Sequence, residues 1–153
     1  MRTIYVGIII ILILSASSYG QVQSRSVVLP ESAAQELTQI CSRPGPPEFE
    51  ATWLPTAADV QVMEAQLSQI SRLRTNGGVV GLHIRKPEKY FRQYVGIVVR
   101  GRRLIYINAI CGDELSKSWQ DSLEIICDGG CDWGVIYDTV TKKFSDLMIN
   151  GIA

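Results

Sequence analysis

The chain predicts an α+β domain: two N-terminal helices packed on an antiparallel sheet of about five strands in two hairpins, in two layers, stapled by disulfides. Three observations carry this reading. An apolar stripe at helical spacing runs from Val60 to Leu73. Two hairpin patterns fill the last third, from Tyr90 to Gly151. Four cysteines lie downstream of an export-like leader.

Taken in order, Met1-Arg2 is a minimal positive start. Ile4 to Leu14 is an uncharged apolar run of signal-core length, short for a bilayer span. Ser18-Tyr19-Gly20 offers small side chains to a signal peptidase, which places cleavage before Gln21; a retained anchor is the alternative. The plan is a signal peptide over 1–20, a flexible terminus over 21–30 and a single α+β domain over 31–153.

From Glu31 to Cys41, Ala33, Ala34, Leu37, Ile40 and Cys41 fall at helical spacing. Pro30 suits the entry, and Arg43-Pro44-Gly45-Pro46-Pro47 ends the helix. Thr56-Ala57-Ala58-Asp59 reads as the capped start of a second helix. Val60, Met63, Leu67, Ile70 and Leu73 carry it to Arg74 over about five turns, and Asn76-Gly77-Gly78 stops it. Val79 to Pro87 is a short strand or an ordered loop.

The first hairpin runs from Tyr90 to Val99, turns at Arg100-Gly101-Arg102 and returns from Arg103 to Cys111. Both of its faces are apolar, which predicts a central pair with one face against the long helix. Gly112 to Asp121 is polar, anchored by Trp119, and reads as a loop or short helix. Leu123 to Cys127 is a third strand. Trp133 to Tyr137, a polar turn from Asp138 to Lys143, and Phe144 to Gly151 close the sheet.

The 15 Lys+Arg balance 15 Asp+Glu; removing Arg2 with the leader leaves a net charge of −1, which argues against a general nucleic-acid binder. The charge is segregated. Nine basic residues lie between Arg72 and Arg103 against Glu88 alone, and seven acids between Asp113 and Asp138 against Lys117 alone. The simpler account is mutual pairing across the sheet; the other is a basic face for an acidic partner.

Cys41, Cys111, Cys127 and Cys131 are an even set in an exported chain and read as two disulfides, with a four-thiolate zinc site as the competitor. Three connectivities exist. A Cys127–Cys131 bridge closes a very small loop; of the other two pairings, Cys111–Cys131 with Cys41–Cys127 is preferred, the first to tie the two hairpins together and the second to fasten the first helix to the sheet.

Catalytic signals are sparse. His83 stands alone, without a signalled nucleophile or orienting acid, and no hydrolase elbow, paired-histidine metal motif or phosphate loop is present. Asp128-Gly129-Gly130 reads as a tight turn; cation binding with Asp132 and Asp138 is the alternative, without the ligand pattern of a calcium loop. No cofactor or metal is expected. Most sheet aromatics read as core. A subset, Tyr90, Arg92, Tyr94, Arg100, Arg102 and Tyr106, forms a candidate binding surface, because Tyr, Trp and Arg dominate interface energetics.

Cys41-Ser42-Arg43-Pro44, Trp53-Leu54-Pro55, Arg92-Gln93-Tyr94-Val95-Gly96, Leu104 to Ala109, and Cys127-Asp128-Gly129-Gly130 through Trp133-Gly134-Val135 resemble a family of small exported bacterial proteins of unknown function. The resemblance implies a periplasmic or secreted setting and supplies no activity. It would place a proline in the turn Asp138-Thr139-Val140-Thr141, which has none. The sequence therefore favours a non-enzymatic exported binding or accessory domain with a protein partner, such as an inhibitor, immunity or envelope-associated protein. No membrane span remains after cleavage. A small envelope hydrolase using Asp128 and Asp132, or a carrier with its ligand between sheet and helix, is the alternative.

Overall fold

The computed structural model describes residues 24–112, 115–127 and 129–151. The leader expected over 1–20 lies outside them. Four long strands form an antiparallel meander: β4 (Phe91–Val99), β5 (Arg102–Ile110), β6 (Trp133–Asp138) and β7 (Lys143–Ile149). These are the two hairpins that the alternation predicted. Val99 pairs with Arg102, so the β4–β5 turn is Arg100-Gly101. Both residues take positive φ, 51° and 71°, the handedness that matches the twist of two adjoining strands.

The edges differ from the expected plan. β1 (Ser26–Val28) runs parallel to the first half of β4, although its residues fall in the terminus expected to be flexible. β2 (Ala51–Trp53) runs antiparallel to the second half of β4. β3 (Gly77–Gly78) is parallel to the end of β7. The sheet is thus mixed and seven-stranded rather than antiparallel and five-stranded. At Gly96, a Cβ would run into Trp53 O, so only glycine lets β2 lie this close to β4.

Leu123 to Cys127 is not a strand. It crosses the sheet as an extended segment whose backbone is satisfied by side chains. Leu123 N–H donates to Glu36 Oε2 and Glu124 N–H to Gln93 Oε1, both at 2.8 Å. Asn108 Nδ2 and Asn150 Nδ2 donate to the carbonyls of Glu124 and Ile126 at 2.8 and 2.7 Å. With its polar groups met in this way, the segment needs no ladder partner.

Neither expected helix forms whole. The first is a 3-10 helix, Glu31–Gln39. Ala34, Leu37 and Ile40 recur at three-residue steps, the period of that helix. The second begins as α1 (Ala57–Glu64), with a full capping box between Thr56 and Asp59. It breaks at Gln66 (φ −112°, ψ 2°), whose Nε2 donates to Val62 O at 3.0 Å, and continues as a 3-10 helix, Leu67–Arg72. Leu67, Ile70 and Leu73 again step by three. A further 3-10 turn, Pro87–Lys89, precedes β4.

Both faces of the meander are covered, which makes three layers instead of two. Met63, Leu67, Ile70 and Ile84 pack on one face against Tyr94, Ile105, Ile107, Trp133 and Val135. Leu29, Ala33, Ala34, Leu37 and Leu123 pack on the other against Val95, Ile97, Leu104, Tyr106 and Ile136. Alternation decides the assignment: Tyr94 pairs with Ile107 and Val95 with Tyr106, so the two tyrosines point to opposite faces. Disulfides join Cys41 to Cys127 and Cys111 to Cys131, with Cα–Cα distances of 4.9 and 5.9 Å. Two such bonds belong to an oxidising, extracellular environment. Among the described residues no helix is long and apolar enough to cross a membrane.

Candidate functional site

The six residues expected to share a binding surface are scattered. Tyr94 and Tyr106 are fully buried, and Arg92 is 5% exposed. Tyr90 sits half-buried at one end of β4, its ring edge-on to Trp133 at 5.4 Å. Arg100 and Arg102 are exposed at the other end, about 30 Å away at ~3.3 Å per residue. No single surface holds them.

The buried three belong to two polar knots. On the α1 face, Tyr94 donates its hydroxyl hydrogen to Glu64 Oε1 and accepts from Arg92 Nε at 3.0 Å. Arg92 also pairs with Glu64 at 3.2 Å and donates to the carbonyls of Glu88 and Tyr90. This ties the end of α1 to β4. Burial pushes the Tyr94 hydroxyl well above the phenol range, against the pull of Arg92. Burial likewise raises Tyr90 and Tyr137. Tyrosines raised in the folded state keep their full stabilising effect below pH about 10 and lose it above, because the unfolded chain ionises first. Urea midpoints should hold level up to pH about 9 and fall beyond about 10, less steeply in Tyr94→Phe; a level midpoint to pH about 12 would refute this.

On the opposite face lies a buried arginine, Arg43, which the sequence marks as part of a helix stop and of the Cys41-Ser42-Arg43-Pro44 motif but not as a network centre. Arg43, 8% exposed, donates through Nη1 to Asn150 Oδ1, through Nη2 to Asn108 Oδ1 and through Nε to Tyr106 Oη at 3.4 Å. Asn108 passes the network to Gln93 at 2.9 Å, and Gln93 holds the carbonyls of Trp119 and Ser122. Gln93 and Asn108 are cross-strand partners. Two inward polar residues on otherwise apolar strands were the available signal, but joining them to Arg43 requires the register.

The remaining candidates divide similarly. His83 is exposed. Asp132 is 4% exposed, and its Oδ1 accepts the Cys111 N–H at 2.9 Å; burial raises its carboxyl, opposed by that hydrogen bond and by Arg43. Asp128 lies outside the described residues. Asp138 caps the β6–β7 turn through Oδ1 and forms an ion pair with Arg102 through Oδ2. That is the one pairing between the basic and acidic blocks among the described residues. The space between sheet and α1, suggested for a carried ligand, is filled by the core around Met63 and Tyr94.

Arg100 and Arg102 do line a groove. Together with Val99 and Leu104 they face Pro47, Glu48, Phe49 and Glu50 across a hollow of about 650 Å³. A second hollow of about 400 Å³ lies between Pro46 to Phe49 and the end of the first 3-10 helix, at Leu37, Thr38 and Ile40. The segment is stiffened by Pro44, Pro46 and Pro47, and pinned at Glu50. Its N–H donates to Val98 O at 2.9 Å, and its Oε1 accepts the Gly101 N–H at 2.5 Å. Phe49 is left half-exposed between the hollows. The available sequence signal is Glu48-Phe49 following the helix stop Arg43-Pro44-Gly45-Pro46-Pro47; the stop is legible, and the two residues after it carry no reading of their own.

Comparison with protein-family models, with curated proteins and with solved structures yields no match.

Proposed function

We propose that the protein is an exported binding domain that holds an extended segment of a protein partner along the Pro46–Phe49 wall. The observation that carries this is placement. The two hollows flank one proline-stiffened segment and share Pro47, Glu48 and Phe49, so side chains of an extended peptide lying along that segment could enter both. The hollows are apolar at Leu37, Ile40, Phe49, Val99 and Leu104, which favours apolar side chains along the peptide. Arg100 is exposed, with no carboxylate within 4.0 Å among the described residues, and favours an acidic residue at that end. The resemblance of the sequence to small exported bacterial proteins would fit this role, and the two disulfides fit an oxidising compartment.

Selection from a displayed random-peptide library tests the reading. Enriched peptides should be apolar with an acidic end, and Phe49→Ser or Arg100→Glu should weaken them by about 30-fold, the effect of one interface hot spot. Arg74→Glu, at an exposed position away from the hollows, should leave them unchanged. Equal binding to all three variants, or no enrichment, would defeat the proposal.

A further inference from the structure

We infer that the Cys111–Cys131 disulfide is an exchange site for small anionic thiols. Both of its cysteines are exposed. Cys111 lines a hollow of about 260 Å³ with Arg85, Lys86, Lys89 and Tyr90. The local fold explains why three cations converge there. Ile84 and Pro87 are buried and pin the segment, while Lys86 takes a left-handed conformation (φ 54°) and its carbonyl accepts the Lys89 N–H at 3.0 Å. Arg85 and Lys86, between Ile84 and Pro87, and Lys89, two residues beyond Pro87, are left exposed. Among the described residues none of them has a carboxylate within 4.0 Å. Asp132 lies within 4.8 Å of both sulfurs, but it is buried and its Oδ1 is occupied by the Cys111 N–H.

Exchange proceeds through thiolate attack, and its rate depends on thiolate fraction and access. A cationic hollow beside an exposed disulfide raises the local concentration of an anionic thiol and favours its ionised form. The bound thiolate attacks Cys111 Sγ. A new S–S bond joins it to Cys111 as the Sγ–Sγ bond breaks, and the electron pair leaves on Cys131, whose thiolate takes a proton from water. A second thiol of the same class completes the reduction and carries away the first as its disulfide. In the mixed-disulfide state the anionic group of the adduct stays among Arg85, Lys86 and Lys89. The Cys41–Cys127 bond does not line this hollow and serves as the internal reference.

The test compares 2-mercaptoethanesulfonate, 2-mercaptoethanol and cysteamine on the intact protein at low salt. Alkylation quenching and peptide mapping give rates at each disulfide, normalised to thiolate concentration. The preference for the anionic over the cationic thiol should be about tenfold larger at Cys111–Cys131 than at Cys41–Cys127, with the first adduct on Cys111. In Arg85→Gln/Lys86→Gln/Lys89→Gln, or at high salt, the two disulfides should agree to within about twofold while the neutral thiol reacts as before. Equal preferences at the two disulfides in the unaltered protein, a preference surviving the triple substitution, or a first adduct on Cys131 would overturn the assignment.

Discussion

Replacing both Cys41 and Cys127 by serine should lower stability by about 4–5 kcal/mol, the larger of the two disulfide effects. The bond spans a sequence separation of 86 residues, against 20 for Cys111–Cys131, and longer closed loops remove more freedom from the unfolded chain. On that basis the shorter bond is worth about 3 kcal/mol. Placement adds to the difference. Cys41 stands one residue from Ser42, which takes a left-handed φ of 63° and accepts the Gly151 N–H at 2.8 Å. Cys127 ends the extended segment that covers one sheet face. Cutting the bond frees the start of the proline-rich wall and the end of that cover together. Urea titration of the two double-serine variants without reductant decides it: an equal or smaller loss for Cys41→Ser/Cys127→Ser would contradict the loop argument.

Arg43→Met should cost about 3 kcal/mol although the side chain is of similar reach and apolar. The guanidinium serves three acceptors from distant parts of the chain, at Tyr106, Asn108 and Asn150. Methionine leaves the Asn108 and Asn150 oxygens without that donor in the interior, where an unmet polar group costs about 1–3 kcal/mol. Relief of the arginine's own desolvation offsets part of this, which keeps the expected loss below the sum of the orphaned groups. Lysine should rescue little, because a point charge cannot reproduce the planar fork. Combined with the Cys41 and Cys127 replacements the losses should fall short of additive, since both features fasten the same segment. A loss under about 1 kcal/mol, or full rescue by Arg43→Lys, would show that the network contributes little.

How far the sequence reaches depends on whether the information is local. The Thr56–Asp59 cap and the β4–β5 and β6–β7 hairpins were legible because each rests on neighbours a few residues apart. The 3-10 character of Glu31–Gln39 and Leu67–Arg72 was not legible, because the three-residue steps Ala34–Leu37–Ile40 and Leu67–Ile70–Leu73 also belong to an α-helical stripe. β1 and β2 had no signal of their own: three-residue strands are defined by the partner they find on β4. In the candidate site, Arg100 and Arg102 were readable as exposed turn residues. Phe49 was not, because only contact with Val99 and Leu104 across the hollow turns a proline-rich stop into a wall.

The sequence by itself determined the α+β class, the central meander and the even cysteine set, all of which follow from local period, turn chemistry and parity. Tertiary structure decided which cysteines meet and how β1, β2 and β3 close the edges. It also decided that Tyr94, Tyr106 and Arg92 are interior rather than a binding face. The physical reason is that alternation assigns a residue to one side of a sheet without saying what covers that side. Here, both sides are covered, by segments outside the ladder: Met63 to Ile84 on one side, and Leu29 to Leu37 with the β5–β6 connection at Leu123 on the other.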